Sequence, residues 1–136
     1  MARKPRAYVL DSWSIIAYLE DEPAGQKVAD LIADAHENDV GLLTTVVNAG
    51  EVWYILARET AEDEADRALA EFGRLGIEFV EIDWELARQA AGFKAKHKMS
   101  YADCFAAALA KSRKAELVTG DQEFRQIEGD LQVSWL

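Results

Sequence analysis

The sequence predicts an α/β domain of three layers, with helices on both faces of a central parallel sheet of about five strands. The first observation is that short apolar runs alternate with segments of helical periodicity. Strands separated by helices are joined by right-handed crossovers, which make a sheet parallel. The second is that half of the 136 residues are hydrophobic, with two prolines and no linker-like segment. We therefore expect a single domain over residues 1–136.

Five short apolar runs are predicted as the strands of this sheet. They are AYVL (7–10), VGLLT (40–44), IEFVEI (77–82), ELVT (116–119) and a weaker run, LQVSWL (131–136). In open parallel sheets, ligands bind at the carboxyl ends of the strands, so the site is expected where these runs end.

Apolar residues spaced three and four apart predict the helices between the strands. These sets are Val28, Leu31, Ile32 and Ala35; Ala65, Ala68, Leu69 and Phe72; and Leu86, Ala90 and Phe93. TTVVNAGEVWYILARE (44–59) is interpreted as one helix, and SYADCFAAALA (100–110) as the start of another. Pro23 is expected in the first turn of its helix, Gly76 directly after a helix end, and Trp53, Tyr54 and Trp84 in the core.

Composition narrows the possible functions. The formal net charge of −10 argues against a broad basic surface for non-specific nucleic-acid binding. It does not exclude a nuclease that gathers carboxylates around a metal ion. The one cysteine, Cys104, cannot form an internal disulfide and is expected to be buried. No apolar run approaches the roughly 20 residues of a membrane span, and no signal peptide is apparent, so a cytoplasmic location is expected.

Four acids are candidates for a functional site because of where they lie relative to the predicted strands and helices. Asp11 directly follows the first predicted strand, and Asp121 follows the fourth. Glu51 lies within a predicted helix, and no lysine or arginine stands three or four residues away to pair with it. Asp103 is at the third position of a helix capped by Ser100, and seven apolar residues follow it.

Each acid alone has a structural explanation, since Asp11, Asp103 and Asp121 are all placed to start helices. Together, four carboxylates in one cleft would repel one another unless a cation bound them. Hard divalent cations prefer oxygen ligands, and Mg²⁺ takes a few carboxylates and keeps several waters. The chain has no Cys/His spacing typical of zinc.

These motifs resemble, in continuous order, those of PIN-domain proteins, specifically VapC-like toxin ribonucleases of type II toxin–antitoxin systems. YVLDSWSIIAYLEDEP is similar to the family's first strand, aspartate and helix. TTVVNAGEVWYILARE is similar to its second motif, and MSYADCFAAALAKSRKAELVTGDQEF to its third and fourth. The resemblance covers nearly the whole chain, although Trp13 stands where a smaller residue is expected.

The resemblance implies a three-layer PIN-like domain that hydrolyses RNA phosphodiester bonds with Mg²⁺ or Mn²⁺. The acids that it implies as catalytic residues and metal ligands are Asp11, Glu51, Asp103 and Asp121. It places the hydroxyl groups of Ser12 and Thr119 near the metal site, and Asn48 where its side chain orients Glu51. Asp103 or Asp121 would act as general base. It also implies a cognate antitoxin that inhibits the enzyme, and a homodimer.

Positive charge for RNA is expected from a few segments. Arg125, just after the TGD turn, is best placed to meet a phosphate. KAKHK (94–98), KSRK (111–114) and RKPR (3–6) are further candidates. KAKHK and KSRK are better explained as basic helix ends that interact with the dipole of their own helix.

Three other functions compete with this interpretation. A receiver domain needs paired acids after its first strand and a lysine after a later one, and VLDSWS and LVTGDQ lack both. A flap-endonuclease-like DNA enzyme needs extra DNA-binding helices. A catalytically silent PIN-like binding module stays open, and loss of a core acid would favour it.

Overall fold

The computed structural model describes residues 5–136. The strands are β1 (Ala7–Leu10), β2 (Gly41–Thr45), β3 (Ile77–Val80), β4 (Glu116–Thr119) and β5 (Val133–Trp135). The helices are α1 (Ser12–Leu19), α2 (Gly25–Glu37), α3 (Val46–Glu59), α4 (Glu62–Gly73), α5 (Trp84–Lys96) and α6 (Tyr101–Arg113). A 3₁₀ helix, η1 (Gln122–Ile127), joins β4 to β5.

All five strands run parallel, in the order β3-β2-β1-β4-β5. The sheet is therefore the predicted one, and β1 lies at its centre, with Val9 opposite both Leu43 of β2 and Leu117 of β4. The carboxyl ends of β1 and β4 are neighbours, so the residues that follow them meet at one edge.

Alternation along the strands divides the core into two layers. Val9 and Leu117 belong to the cluster that includes α5 and α6, and Leu10 and Val118 to the cluster on the other face. This arrangement confirms the three-layer α/β/α architecture.

Helix α6 is buried from Asp103 to Ala110. It packs on β1, β2 and β4 and also contacts α5 and α3. Its alanines let these neighbours approach from every side, and Cys104 is a free, buried thiol as expected. The burial of α6 brings the start of this helix to the edge of the sheet.

Several predicted boundaries are wrong. Thr44 was predicted both to end the second strand and to begin a helix, and it belongs to β2. Thr45 was predicted as helix, but it also belongs to β2 and caps α3 with its hydroxyl. Strand β3 ends at Val80, because its partner β2 ends opposite that residue. Strand β5 covers only Val133–Trp135, although Gln132 and Leu136 on either side of it still hydrogen-bond to β4.

The expectations for Pro23 and Gly76 also need correction. Pro23 precedes α2 and lies in a turn closed by the Gly25 amide, which donates to the Glu22 carbonyl at 2.7 Å. Gly76 lies three residues after α4 ends, where its φ of +86° leads into β3.

The aromatic residues are less buried than expected. Trp53 is half-buried, whereas the side chains of Tyr54 and Trp84 are 42% and 76% exposed. No helix among residues 5–136 is long and apolar enough to cross a membrane.

Candidate metal centre at the carboxyl edge of the sheet

Asp11 ends the central strand and begins α1. One carboxylate oxygen accepts a hydrogen bond from the Ser14 amide at 2.9 Å, which caps the helix. The other accepts from the Thr119 hydroxyl at 2.5 Å, across the sheet edge. The side chain is fully buried. Asp11 is thus both a helix cap and part of a buried polar network.

Thr119 connects the two strand ends. While its hydroxyl donates to Asp11, its oxygen accepts from the Asp121 amide at 3.0 Å. The Asp121 carboxylate caps η1 by accepting from the Glu123 amide at 2.9 Å. Thr119 therefore fixes the turn that carries Asp121 relative to Asp11.

Asp103 reaches the same edge from α6. The Ser100 hydroxyl caps the helix by accepting from the Asp103 amide at 3.1 Å, as predicted. The carboxyl group of Asp103 is buried and faces two other acids. Carboxylate oxygens of Asp103, Asp121 and Glu123 all lie within 4.8 Å of one another. Asp103 therefore starts a helix and contributes to an acidic cluster.

The protonation of these acids reflects their surroundings. Burial, together with the charges of Asp121 and Asp11, raises the pKa of Asp103 to about 8. Burial also raises the pKa of Asp11, to about 7, against the opposing effect of the hydrogen bonds from Thr119 and Ser14. Without a cation, the site thus disfavours ionisation of Asp103 and Asp11.

A divalent metal ion fits this donor set. Among the described residues, the ion pairs are Arg67–Glu64 and Arg125–Glu128, so no cationic side chain pairs with the clustered acids. The donors are all oxygens, which suits Mg²⁺ or Mn²⁺. Asp103, Asp121 and Glu123 are grouped closely enough to share one ion. Asp11 is near enough for its charge to raise the pKa of Asp103.

Asn48 holds the helices around the cluster together. Its amide nitrogen donates to the Ser12 hydroxyl at 3.2 Å and to the Ala102 carbonyl at 3.1 Å. Its amide oxygen accepts from the Thr45 hydroxyl at 2.6 Å. Asn48 is fully buried, so it fixes α3 against the starts of α1 and α6.

Glu51 lies one turn after Asn48 on α3 and is half-buried. Within residues 5–136, no hydrogen bond or ion pair joins Glu51 to Asn48 or to the clustered acids. Its place among the metal ligands stays a prediction.

Arg125 is engaged within its own segment. Its guanidinium pairs with Glu128 at 3.3 Å and lies 4.1 Å from the centre of the Trp135 ring. A contact between Arg125 and a substrate phosphate stays a prediction.

The sequence analysis missed Glu123. The acid stands two residues after Asp121, and η1 turns it back toward Asp103. An acid so soon after a strand-end aspartate was the available signal.

The rim of the cluster carries Trp13, which is 39% exposed. Its ring packs against Gly120, where a Cβ atom would overlap it. The unexpected tryptophan thus fits because the TGD turn has a glycine beneath it.

Fold and site together define an α/β/α domain that gathers carboxylates at the carboxyl edge of a parallel sheet. The family model for the PIN domain matches residues 8–130. The chain belongs to the PIN-domain family.

Solved structures share this fold at low sequence identity. VapBC2 from Rickettsia felis, bound to a DNA fragment from its promoter, is 14% identical with a TM-score of 0.78, over 94% of this chain and 97% of that one. Mycobacterium tuberculosis VapC20, a sarcin–ricin loop cleaving toxin, is 18% identical with a TM-score of 0.70, over 93% and 98%. DNA-bound VapBC from Salmonella typhimurium is 18% identical with a TM-score of 0.74, over 94% and 96%. No curated protein sequence matches the chain.

Proposed function

We propose that this protein is a metal-dependent endoribonuclease that acts as the toxin of a toxin–antitoxin pair. The observation that carries the proposal is the cluster of Asp103, Asp121 and Glu123 beside the buried Asp11, with no cationic side chain paired to it among residues 5–136. Membership of the PIN-domain family supports a nuclease.

Bound Mg²⁺ or Mn²⁺ would polarise the scissile phosphodiester and lower the pKa of an attacking water. Asp103, Asp121 and Glu123 would hold the ion, with Asp11 and Glu51 completing the acidic lining. Thr119 and Ser14 would keep the Asp11 carboxylate in one orientation by donating to its two oxygens. Asp103 or Asp121 would accept the proton of the attacking water.

The similar structures support a proposal for the substrate and the partner. VapC20 cleaves the sarcin–ricin loop, so we propose RNA as the substrate: tRNA, rRNA or mRNA. Several similar chains were solved as VapBC complexes, so we propose a cognate antitoxin that inhibits this chain. We further propose a cytoplasmic homodimer whose protomer is one domain over residues 1–136.

The first test is cleavage by purified protein. We expect wild type to cut total RNA at discrete positions with Mg²⁺ or Mn²⁺ and to stop when EDTA removes the metal. Asp103→Asn should lose this activity, because a neutral amide binds a hard cation more weakly. Asp30→Asn is the matched control, since Asp30 is exposed on α2.

A test in cells identifies the substrate. Wild type and Asp103→Asn would be induced separately and new RNA 5′ ends mapped across the transcriptome, including tRNA and rRNA. Discrete ends that disappear in the variant would establish the ribonuclease. If folded wild type produced no such ends, the silent PIN-like binding module would become the better explanation.

A further inference from the structure

A cavity of about 370 Å³ opens along α5 on the side where α6 ends. The lining residues that carry charge or can gain it are Arg88, Lys96, His97, Lys111 and Asp130. None of the clustered acids of the candidate metal centre lines it. The cavity is therefore a separate feature of the molecule.

Positive charge converges on this cavity in a chain whose formal net charge is −10. Lys96 and His97 come from the end of α5, and Lys111 from the last turn of α6. Neither these side chains nor Arg88 makes an ion pair with any of residues 5–136. The packing of α6 on α5 thus adds Lys111 to the three basic residues of α5 and its C-cap.

The helix dipole does not account for all of this charge. It favours cations in the last turns of α5 and α6. Arg88, however, lies in the second turn of α5, away from the last turns where the dipole favours a cation. It adds to the cavity a positive charge that the ends of the two helices do not supply.

The cavity is connected to the acidic cluster by a fixed segment. Residues 97–100 lead from the end of α5 to the cap of α6, three residues before Asp103. Gln126 of η1 holds this segment, since its amide donates to the Lys98 carbonyl at 3.0 Å and accepts from the Lys98 amide at 3.2 Å. The same amide also donates to the Glu123 carbonyl at 3.1 Å.

We propose that the cavity lined by Arg88, Lys96, His97 and Lys111 binds backbone phosphates of the RNA strand whose scissile bond lies at the acids. The inference rests on the proposed function, for which it supplies the missing electrostatic contact. An acidic protein repels a polyanion overall, so a local cluster of unpaired cations is needed to hold the strand. Such contacts position a strand and read no sequence.

The test measures RNA binding apart from cleavage. In the non-cleaving Asp103→Asn background, Arg88→Gln/Lys96→Gln is compared with Lys27→Gln/Arg74→Gln. All four side chains are exposed and make no ion pair with described residues, and both doubles remove two positive charges. The probe is an unstructured fluorescein-labelled RNA oligonucleotide, titrated by anisotropy between about 50 and 200 mM salt.

We expect the cavity double variant to raise Kd about tenfold and to reduce the salt slope by about 1.4, since each phosphate contact to a single strand contributes about 0.7. The control double variant should change both values much less. In the cleaving background, the cavity variant should raise KM more than it lowers kcat.

The two hypotheses fail in different ways. If wild type cuts RNA but both double variants bind the oligonucleotide alike, the cavity proposal is wrong and the ribonuclease stands. If wild type cuts no RNA but the cavity variant alone loses affinity and salt slope, the phosphate site is supported and the catalytic proposal fails. Equal Kd values for the two doubles would overturn the cavity proposal in either case.

Discussion

Two helix starts in this molecule are built alike and yet differ in chemistry. Asp11 begins α1 and Asp83 begins α5, both from extended backbone with ψ of 176°. Each carboxylate accepts a hydrogen bond of 2.9 Å from the amide three residues later. At the level of local structure, the two aspartates do the same work.

The surroundings separate them. Asp83 is exposed, follows the edge strand β3 and has no clustered acids beside it. Asp11 is fully buried, follows the central strand, and is linked through Thr119 to Asp121. An aspartate that caps a helix can therefore belong to a functional site or serve only as a cap. The position of the preceding strand in the sheet distinguishes the two cases.

The largest expected difference between the two aspartates appears when the charge is removed from each cap. Asparagine caps helices as well as aspartate does, so both Asp11→Asn and Asp83→Asn should fold. We expect Asp11→Asn to lower RNA cleavage by about a hundredfold to a thousandfold, the size typical of removing one preorganised electrostatic group. Asp83→Asn should leave cleavage unchanged. Single-turnover cleavage rates at saturating metal would check this.

Circular dichroism of both variants provides the control for folding. If Asp11→Asn folded and cleaved like wild type, the buried cap would be only structural, and Asp11 would leave the proposed site.

A second pair tests the acid that the sequence analysis missed. Glu123 and Glu85 both stand in the first turn of a helix, but only Glu123 approaches Asp103 and Asp121. Glu123→Gln should weaken Mg²⁺ or Mn²⁺ binding by about tenfold to a hundredfold, measured by calorimetry. Glu85→Gln should have no effect, and equal metal affinity in the two variants would remove Glu123 from the site.

The sequence predicted most of the fold because its signals are local and repeated. Short β-rich runs, helical periodicity and strand-ending acids are readable from neighbouring residues. The boundaries were less accurate where tertiary pairing decides them: Thr45 was predicted as helix, but it extends β2 by pairing with Val80 of β3. Residues 81 and 82 were expected in β3, yet the partner strand β2 ends opposite Val80.

The acids of the site could be predicted where they directly follow a strand, because strand ends can be recognised from neighbouring residues. Asp11 and Asp121 follow from the rule that parallel strands place ligands at their carboxyl edge, whereas Asp103 was predicted from its place at the start of a strongly apolar helix. The approach of Glu123 to Asp103 depends on the path of η1, which no periodicity encodes. The cavity between α5 and α6 also depends on helix packing, because Lys111 of α6 joins the basic residues of α5 only in the folded chain.

The packing of Trp13 on Gly120 at the rim of the site predicts a moderate change in the free energy of unfolding. Gly120 lies under the Trp13 ring, and an added Cβ would overlap that ring. Gly120→Ala should therefore lower the free energy of unfolding by about 1–3 kcal/mol, as overpacking does. Gly129→Ala is the control, since a Cβ there meets no atom within 4 Å. Urea unfolding would measure both, and equal stabilities would mean that Trp13 can move aside without cost.

The pH dependence of stability compares the two caps most directly. The pKa values of Asp11 and Asp103 are raised from 3.8 to about 7 and about 8. Between pH 4 and 8 the folded chain therefore keeps protons that the unfolded chain has released. The contribution of these two groups to stability is then fully present below pH 4 and is lost as the pH rises through 7 and 8.

Asp11→Asn should make this fall in Tm shallower, whereas Asp83→Asn should leave its slope unchanged. Mg²⁺ should oppose the fall in wild type, because a bound cation replaces the protons at the clustered acids. Thermal unfolding across this pH range, with and without Mg²⁺, measures both effects. If Asp11→Asn and Asp83→Asn gave the same slope, burial at the central strand would not distinguish the two aspartates.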